Sequence, residues 1–401
     1  MDANADTYLG TAVGPAPAAF RLTEDQVALR DAVRDLARAK VAPRAAEIDR
    51  TAEFPEDLRR LLAAQDILAL PFPAAYGGID ADLLTLCLAI EELSAACATT
   101  GLILAVHALA ALPIIDVGTP EQSARWLPDL AAGRTLIAFG LTEAGAGSDV
   151  AAMTTRAVRD GDGYVLDGSK RFISQGSVAD LVVVFAVTDP AAGKARRHIS
   201  AFVVERTSPG FSVGRLEHKM GIRGSPTTEL HFDGVRVPVD HLLGAEGDGF
   251  TIAMRTFRRS RPGIAAQAVG IAQGALELAT QYARDRVQFG RPIGQMQMVQ
   301  ALLADVDAAT AAARALLYVA CAAIDAGDGD PDRWASLCKL VAGDAAMKVT
   351  TDAVQVLGGS GYLEDFPVER MMRDAKITQL YEGTQQIQRL IVARSIMDAR
   401  G

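Results

Sequence analysis

The period of the hydrophobic pattern changes twice along this chain, and that order limits the fold more than any single motif does. From Thr23, a good N-cap before Glu24-Asp25-Gln26, apolar residues recur at helical spacing through Val27, Leu29, Val33, Leu36 and Ala37. Helical patterns continue over residues 58–69, 83–98, 102–111 and 121–131, separated by Pro71, Pro73, Gly77-Gly78 and Gly118-Thr119-Pro120. The pattern then shortens to β-branched and aromatic runs at 154–158, 164–166, 181–187, 199–204 and 230–237. Turn formers, Asp160-Gly161-Asp162-Gly163 and Asp167-Gly168, stand between the first of them. From Phe250 the helical period returns in long Ala- and Leu-rich segments, broken near 290–294, 327–331 and 358–361. A helix block, a strand block and a second helix block, without alternation, argue against a doubly wound nucleotide fold. The expected class is α+β, mostly α: a flexible tail at 1–20, an N-terminal all-α domain at 21–135, a middle β-domain at 136–240 and a C-terminal helical bundle at 241–401.

Charge and composition remove several function classes. With 40 basic against 49 acidic residues the net charge is -9, so no large cationic surface and no nucleic-acid partner is expected. The most apolar stretch, 101–115, is interrupted by His107 and Pro113, and no membrane span is expected. The four cysteines, Cys87, Cys97, Cys321 and Cys338, have neither zinc spacing nor the density of a disulfide scaffold. The first twenty residues lack the basic start of a signal peptide and the Arg-rich bias of a transit peptide, so a reducing cytoplasm is the expected location. His107, His198, His218, His231 and His241 lack the pairing of a metal motif, and no Gly-x-Ser-x-Gly elbow occurs. No metal is expected. Gly145-Ala146-Gly147 opens like a dinucleotide fingerprint, but Val150 holds the third glycine's place.

Two segments carry chemistry in their residue types. Leu141-Thr142-Glu143-Ala144-Gly145-Ala146-Gly147-Ser148-Asp149 is a loop of hydroxyls, carboxylates and glycines that bring backbone N–H groups close to a ligand. Tyr381-Glu382-Gly383-Thr384 puts a carboxylate on a glycine turn before a helix for which Thr384 is a good N-cap. Taken alone, the first is a polar loop and the second a surface Glu stabilised by a helix dipole.

These two segments do not stand alone. Together with Lys170-Arg171-Phe172-Ile173-Ser174, Lys219-Met220-Gly221-Ile222-Arg223-Gly224-Ser225, Arg286-Val287-Gln288-Phe289-Gly290 and Gln355-Val356-Leu357-Gly358-Gly359, they resemble the acyl-CoA dehydrogenase family in order and spacing. The resemblance covers nearly the whole chain after the tail. It implies FAD and the α,β-desaturation of an acyl-CoA thioester, with Glu382 removing the α-proton while the β-hydrogen leaves as hydride to flavin N5. Gly383 would free the backbone to aim the Glu382 N–H at the thioester carbonyl, with the flavin ribityl 2′-hydroxyl as second donor. Desolvation in the substrate complex is expected to raise the Glu382 pKa. Some branches place the base at the position of Ser260, and serine cannot serve as one.

For the cofactor, the family pattern sets Phe139, Leu141, Thr142, Gly147 and Ser148 around the flavin or thioester, and Phe172 and Ser174 against the isoalloxazine. Position 172 is often Trp in relatives, so the indole N–H is lost here. Arg286, Phe289, Gln355 and Gly359 would reach the pyrophosphate or adenosine across a subunit interface, and Thr384 with Gln386 the adenine end. A homodimer or, in preference, a dimer of dimers (a homotetramer), and an electron-transfer flavoprotein as acceptor are implied with them. Substrate contacts carried over by position are Ser148, Arg261, Gln267, Thr378 and Tyr381. Gln267 and Thr378 match short-chain members, Tyr381 matches members for linear chains, and no Arg occurs at 95–101 to hold a second carboxylate. A short linear acyl group such as butyryl is therefore favoured. Arg258-Arg259 reads as a solvated or ion-paired helix face before it reads as substrate recognition. The rival readings are a biosynthetic dehydrogenase of an unusual or carrier-protein-bound acyl group, and a non-catalytic flavin or acyl-CoA-binding scaffold.

Overall fold

The computed structural model describes residues 22–189 and 198–398, so the tail expected at 1–20 lies outside the described residues. Six helices come first: α1 Glu24–Leu36, α2 Ala45–Thr51, α3 Glu56–Ala64, α4 Leu83–Ala96, α5 Ala98–Val117 and α6 Pro120–Ala131. Thr23 caps α1 through a reciprocal pair, its Oγ1 accepting from Gln26 N at 3.2 Å while its own N donates to Gln26 Oε1 at 3.1 Å. Helix α5 runs well beyond the 102–111 stretch that periodicity suggests, and passes through Pro113. Nearly every face of it is buried, so no polar stripe marks its ends. By length and composition α5 could cross a membrane, against the reading of 101–115 as interrupted, but 94% of its most apolar stretch is buried inside this fold.

The strands follow: β1 Ile137–Gly140, β2 Arg156–Asp160, β3 Gly163–Ser174, β4 Leu181–Val187, β5 Ile199–Glu205, β6 Phe211–Leu216, β7 Thr227–Pro238 and β8 Leu242–Leu243. They form one sheet in the order β6-β7-β3-β2-β4-β5-β8, with β1 lying parallel to β4. Strand β4 is buried on both faces because successive side chains point to opposite sides. Leu181, Val183, Phe185 and Val187 pack with Ala110, Ile114 and Trp126 of the helical layer, whereas Val182, Val184 and Ala186 pack with Tyr164, Phe202 and Phe232. Strands β1 and β6 fall outside the runs read from the sequence, the first because it is only four residues long and the second because its residues are largely half-exposed.

The C-terminal part holds α7 Gly249–Asp285, the hairpin strands β9 Val287–Gln288 and β10 Arg291–Pro292, α8 Gln297–Ala326, α9 Pro331–Leu357, α10 Val368–Ala375 and α11 Gln385–Asp398. Helix α7 lies against α4 with almost no gap: a Cβ built on Gly270 would stand 2.2 Å from the Glu91 carbonyl oxygen. That approach places the middle of α7 between α5 and α9, where it becomes one wall of the cleft described next. Helix α8 is also long and apolar enough to cross a membrane, and only 28% of its most apolar stretch is buried within this chain.

Candidate active site

A cavity of about 400 Å³ opens where the helical layers meet the sheet. Leu102, Val106 and Leu109 of α5 and Met254, Phe257, Arg261 and Ile264 of α7 line it. Steps of three and four residues put each set on one face of its helix. The loop after β1 contributes Leu141, Thr142, Gly147 and Ser148, and β3 contributes Phe172, Ile173 and Ser174. Tyr381, Glu382 and Gly383 close one side, on the turn before α11.

Strand β3 carries an extra residue against β7 between Lys170 and Ile173, and this bulge re-aims Phe172. Phe172 takes φ +59°, is 56% exposed, and stands beside the Thr142, Ser148 and Ser174 hydroxyls of the lining. Arg171 N donates to Thr142 O at 2.8 Å, which ties the bulge to the loop. Behind the loop, Lys170 Nζ donates to Glu143 Oε1 at 2.7 Å and to Leu141 O at 3.2 Å. Glu143 also accepts from the backbone N of Thr154 and Thr155 at 2.7 and 2.9 Å. Burial would raise the Glu143 carboxyl, but the Lys170 ammonium and these donors overcome it and hold the group well below the usual carboxylate range. Gly145 and Gly147 have open space where a side chain would stand.

Glu382 itself sits in the left-handed region at φ +51°, followed by Gly383 at +91°. Ser260 Oγ donates to Glu382 Oε2 at 2.5 Å. The Glu382 carbonyl accepts from Arg261 Nε at 3.3 Å and from Gln388 Nε2 at 3.1 Å. The next carbonyl, of Gly383, accepts from Gln388 Nε2 at 2.9 Å and from Lys339 Nζ at 2.8 Å. Burial raises the Glu382 carboxyl above its ordinary value even without a substrate, while the Ser260 hydrogen bond and the Arg261 and Lys339 charges oppose that rise. Thr384 caps α11, its Oγ1 accepting from Ile387 N at 3.4 Å.

The cleft thus brings together Phe139, Leu141, Thr142, Gly147, Ser148, Phe172, Ser174, Arg261, Tyr381, Glu382 and Gly383. Gln267 is fully buried behind it: Tyr381 Oη donates to Gln267 Oε1, whose amide Nε2 donates to Ala98 O at 3.0 Å. Gln267 therefore closes the pocket through Tyr381 and does not line it. Thr378 is fully buried too, with its hydroxyl on Ala375 O, and is not brought to the cavity. Arg286, Phe289, Gln355, Gly359 and Gln386 are exposed and apart from the cavity lining. The first four nevertheless stand on segments that meet at one end of the bundle, where Tyr282 Oη donates to Ser360 Oγ at 3.1 Å. Phe289 is at the tip of the β9–β10 hairpin, 93% exposed and at φ +52°. Arg258 and Arg259 are ion-paired, with Asp332 at 2.8 Å and Asp116 at 3.0 Å. Lys339 and Gln388, which hold the Glu382 turn, escape the sequence reading. The one trace of Lys339 there is a charged residue on the otherwise apolar, small-residue face of α9, among Ala335, Ala342 and Ala346.

Sequence models of the acyl-CoA dehydrogenase N-terminal, middle and C-terminal domains match residues 23–134, 138–235 and 247–397. Cyclohex-1-ene-1-carbonyl-CoA dehydrogenase of Geobacter metallireducens is 50% identical over 377 residues, covering 94% of this chain and 99% of that protein. Butyryl-CoA dehydrogenase from Megasphaera elsdenii superposes with a TM-score of 0.91 at 42% identity, covering 94% and 99% of the two chains. A chain from structural work on the electron transferring flavoprotein of Acidaminococcus fermentans superposes with a TM-score of 0.92 at 44% identity, with the same coverage.

Proposed function

Because this chain belongs to the acyl-CoA dehydrogenase family and carries out FAD-dependent α,β-desaturation of an acyl-CoA thioester, we propose that Glu382 is its base and that its preferred acyl group is short and linear. The observation that carries the first part is the setting of Glu382: a carboxylate on a left-handed turn, facing an apolar cavity, with its carboxyl raised by burial. A raised carboxyl is a better proton acceptor at neutral pH than an exposed one, because Brønsted matching favours a base whose pKa approaches the working pH. Tyr381 and the α5 and α7 faces exclude water from the carbon that loses its proton, and the Glu382 backbone N–H polarises the thioester carbonyl.

The residues present fit FAD. Phe172 offers an exposed aromatic face with the Thr142 and Ser174 hydroxyls near it, and the open Gly145 and Gly147 backbone lies alongside. When bound there, FAD supplies the two-electron acceptor for the β-hydride. Arg286, Phe289, Gln355 and Gly359 of one chain hold the distal part of the cofactor of a neighbouring chain, and Thr384 and Gln386 its adenine end. For the first four residues that arrangement is consistent with their exposure at one end of the bundle. The apolar α8 helix, little covered within the chain, provides surface for a homotetramer. An electron-transfer flavoprotein is the acceptor in this reading, and the cytoplasm its location.

Chain length rests on the Tyr381–Gln267–Ala98 line of hydrogen bonds that closes the pocket. Anaerobic mixing of the yellow enzyme with butyryl-, octanoyl- and cyclohex-1-ene-1-carbonyl-CoA tests both parts. The parent should bleach fastest with butyryl-CoA. Glu382→Gln keeps the turn and its N–H, so it should still give a ligand-induced spectral shift while bleaching slows by about 10²-fold or more. Wild-type bleaching in that variant removes Glu382 as base, and a faster reaction with octanoyl- or the cyclic thioester removes the short linear assignment.

A further inference from the structure

Lys339 of α9 is completely buried, yet among the described residues no carboxylate stands within ion-pair distance of its ammonium. An ammonium taken out of water carries a large desolvation penalty unless strong acceptors surround it. Its acceptors here are the Gly383 carbonyl at 2.8 Å and the Gln385 amide oxygen at 3.1 Å. Neighbouring buried positions on α9, Ala335, Ser336 and Ala342, are small, and Ser336 accepts from Arg261 and not from Lys339. Gln385 in turn donates to Leu340 O at 2.8 Å and Asp344 Oδ1 at 2.9 Å, which extends the same attachment along α9.

We propose that Lys339 is a positioning residue for the desaturation: its ammonium grips the Gly383 carbonyl and the Gln385 side chain, and so fixes the left-handed turn that aims the Glu382 carboxylate into the cavity. The proposal rests on the assignment of Glu382 as base. The geometry gives it force, since Glu382 at φ +51° and Gly383 at +91° adopt a backbone that a Glu rarely takes unless its surroundings hold it there. Arg261 and Gln388 hold the Glu382 carbonyl from α7 and α11, and Lys339 is the contribution from α9. The charged groups that face Lys339 are Glu382 on the turn, Arg261 on α7 and Asp344 on its own helix. Burial brings the ammonium down to about 8, with Glu382 opposing, so the charge is present at neutral pH. Its positive charge also favours the ionised form of Glu382.

Lys339→Met preserves length and packing and removes both donor and charge. The holoenzyme variant should lose about 10- to 100-fold in kcat, with KM for butyryl-CoA moved less than about threefold, because a misaimed base harms chemistry before binding. The acid limb of its pH profile for kcat/KM should move to higher pH, since a cation that lowers the Glu382 pKa is gone. Wild-type kcat and an unmoved limb overturn the proposal. If the Met variant does not fold, Lys339→Gln takes its place: the shorter amide can still donate, so kcat should stay below the parent's and the acid limb should lie at higher pH than the parent's. An unshifted limb in Lys339→Gln, or failure of both variants to fold, makes Lys339 a folding residue and overturns the proposal as well. Glu382→Gln run alongside separates the two ideas: if it turns over normally the base assignment has failed, and if it is inactive while Lys339→Met is normal only the positioning role has.

Discussion

Ser260 is a residue whose hold on the proposed base is visible only once its partner is in place. As a sequence position it is simply a serine where a base could have been; in the structure its hydroxyl donates to Glu382 Oε2 at 2.5 Å. A donor to the charged form lowers the pKa of an acid, so Ser260 works against the burial that raises Glu382. Ser260→Ala should therefore move the acid limb of kcat/KM to higher pH. The plateau rate should fall by no more than about tenfold, because the base itself remains. A pH profile measured with butyryl-CoA decides it, and an unmoved limb would mean that the hydroxyl has no hold on the proton. The candidate base and the loop hydroxyls are legible in the chain because their identity is what matters. The residues that hold Glu382 are not, because a Lys or Gln serving a backbone carbonyl has no motif of its own and is separated from the turn by tens of residues or a helical turn.

At the scale of elements, three candidate functional residues share one conformational trait. Phe172, Phe289 and Glu382 are all non-glycine residues at positive φ, on a bulge, a hairpin tip and a pre-helical turn. Such backbone is held by its surroundings rather than by local preference, which is why periodicity locates the start of β3 and the final helix but neither the continuation of β3 through Asp167-Gly168 nor the bulge between Lys170 and Ile173. Ile222, at φ +44°, belongs to the same class, and its N donates to Asp374 Oδ1 at 2.5 Å, pinning the 219–225 segment to α10. Burial pushes the Asp374 carboxyl up to about 6, against the pull of the Ile222 N–H and of Arg370. A folded pKa above the unfolded one means that its stabilising contribution is fully present below the ordinary value and is lost as pH rises through about 6. Asp374→Asn keeps an oxygen for Ile222 N and removes the titration. Its Tm relative to the parent should therefore climb between pH 4 and pH 7, and a constant difference across that range would show that Asp374 does not titrate in the fold.

For the whole molecule, the block order of helix, strand and helix was readable from end to end, since hydrophobic period is set by each element's own burial. How the blocks meet was not, because the cleft is made by helix faces and loop ends whose residues carry no sign of their neighbours. The proposed assembly follows the same division: Arg286 and Phe289 are exposed at the base and the tip of a hairpin, and the roles proposed for them depend on a neighbouring chain. If the proposed assembly is right, Arg286→Ala should release FAD on gel filtration and shift the oligomer toward smaller species together; FAD retained at full occupancy would leave Arg286 a solvated charge. The walls of the cleft also have an order in time. Phe139 to Ser174 leave the ribosome well before Glu382, so a nascent chain can form its loop-and-strand wall before the proposed base has been made.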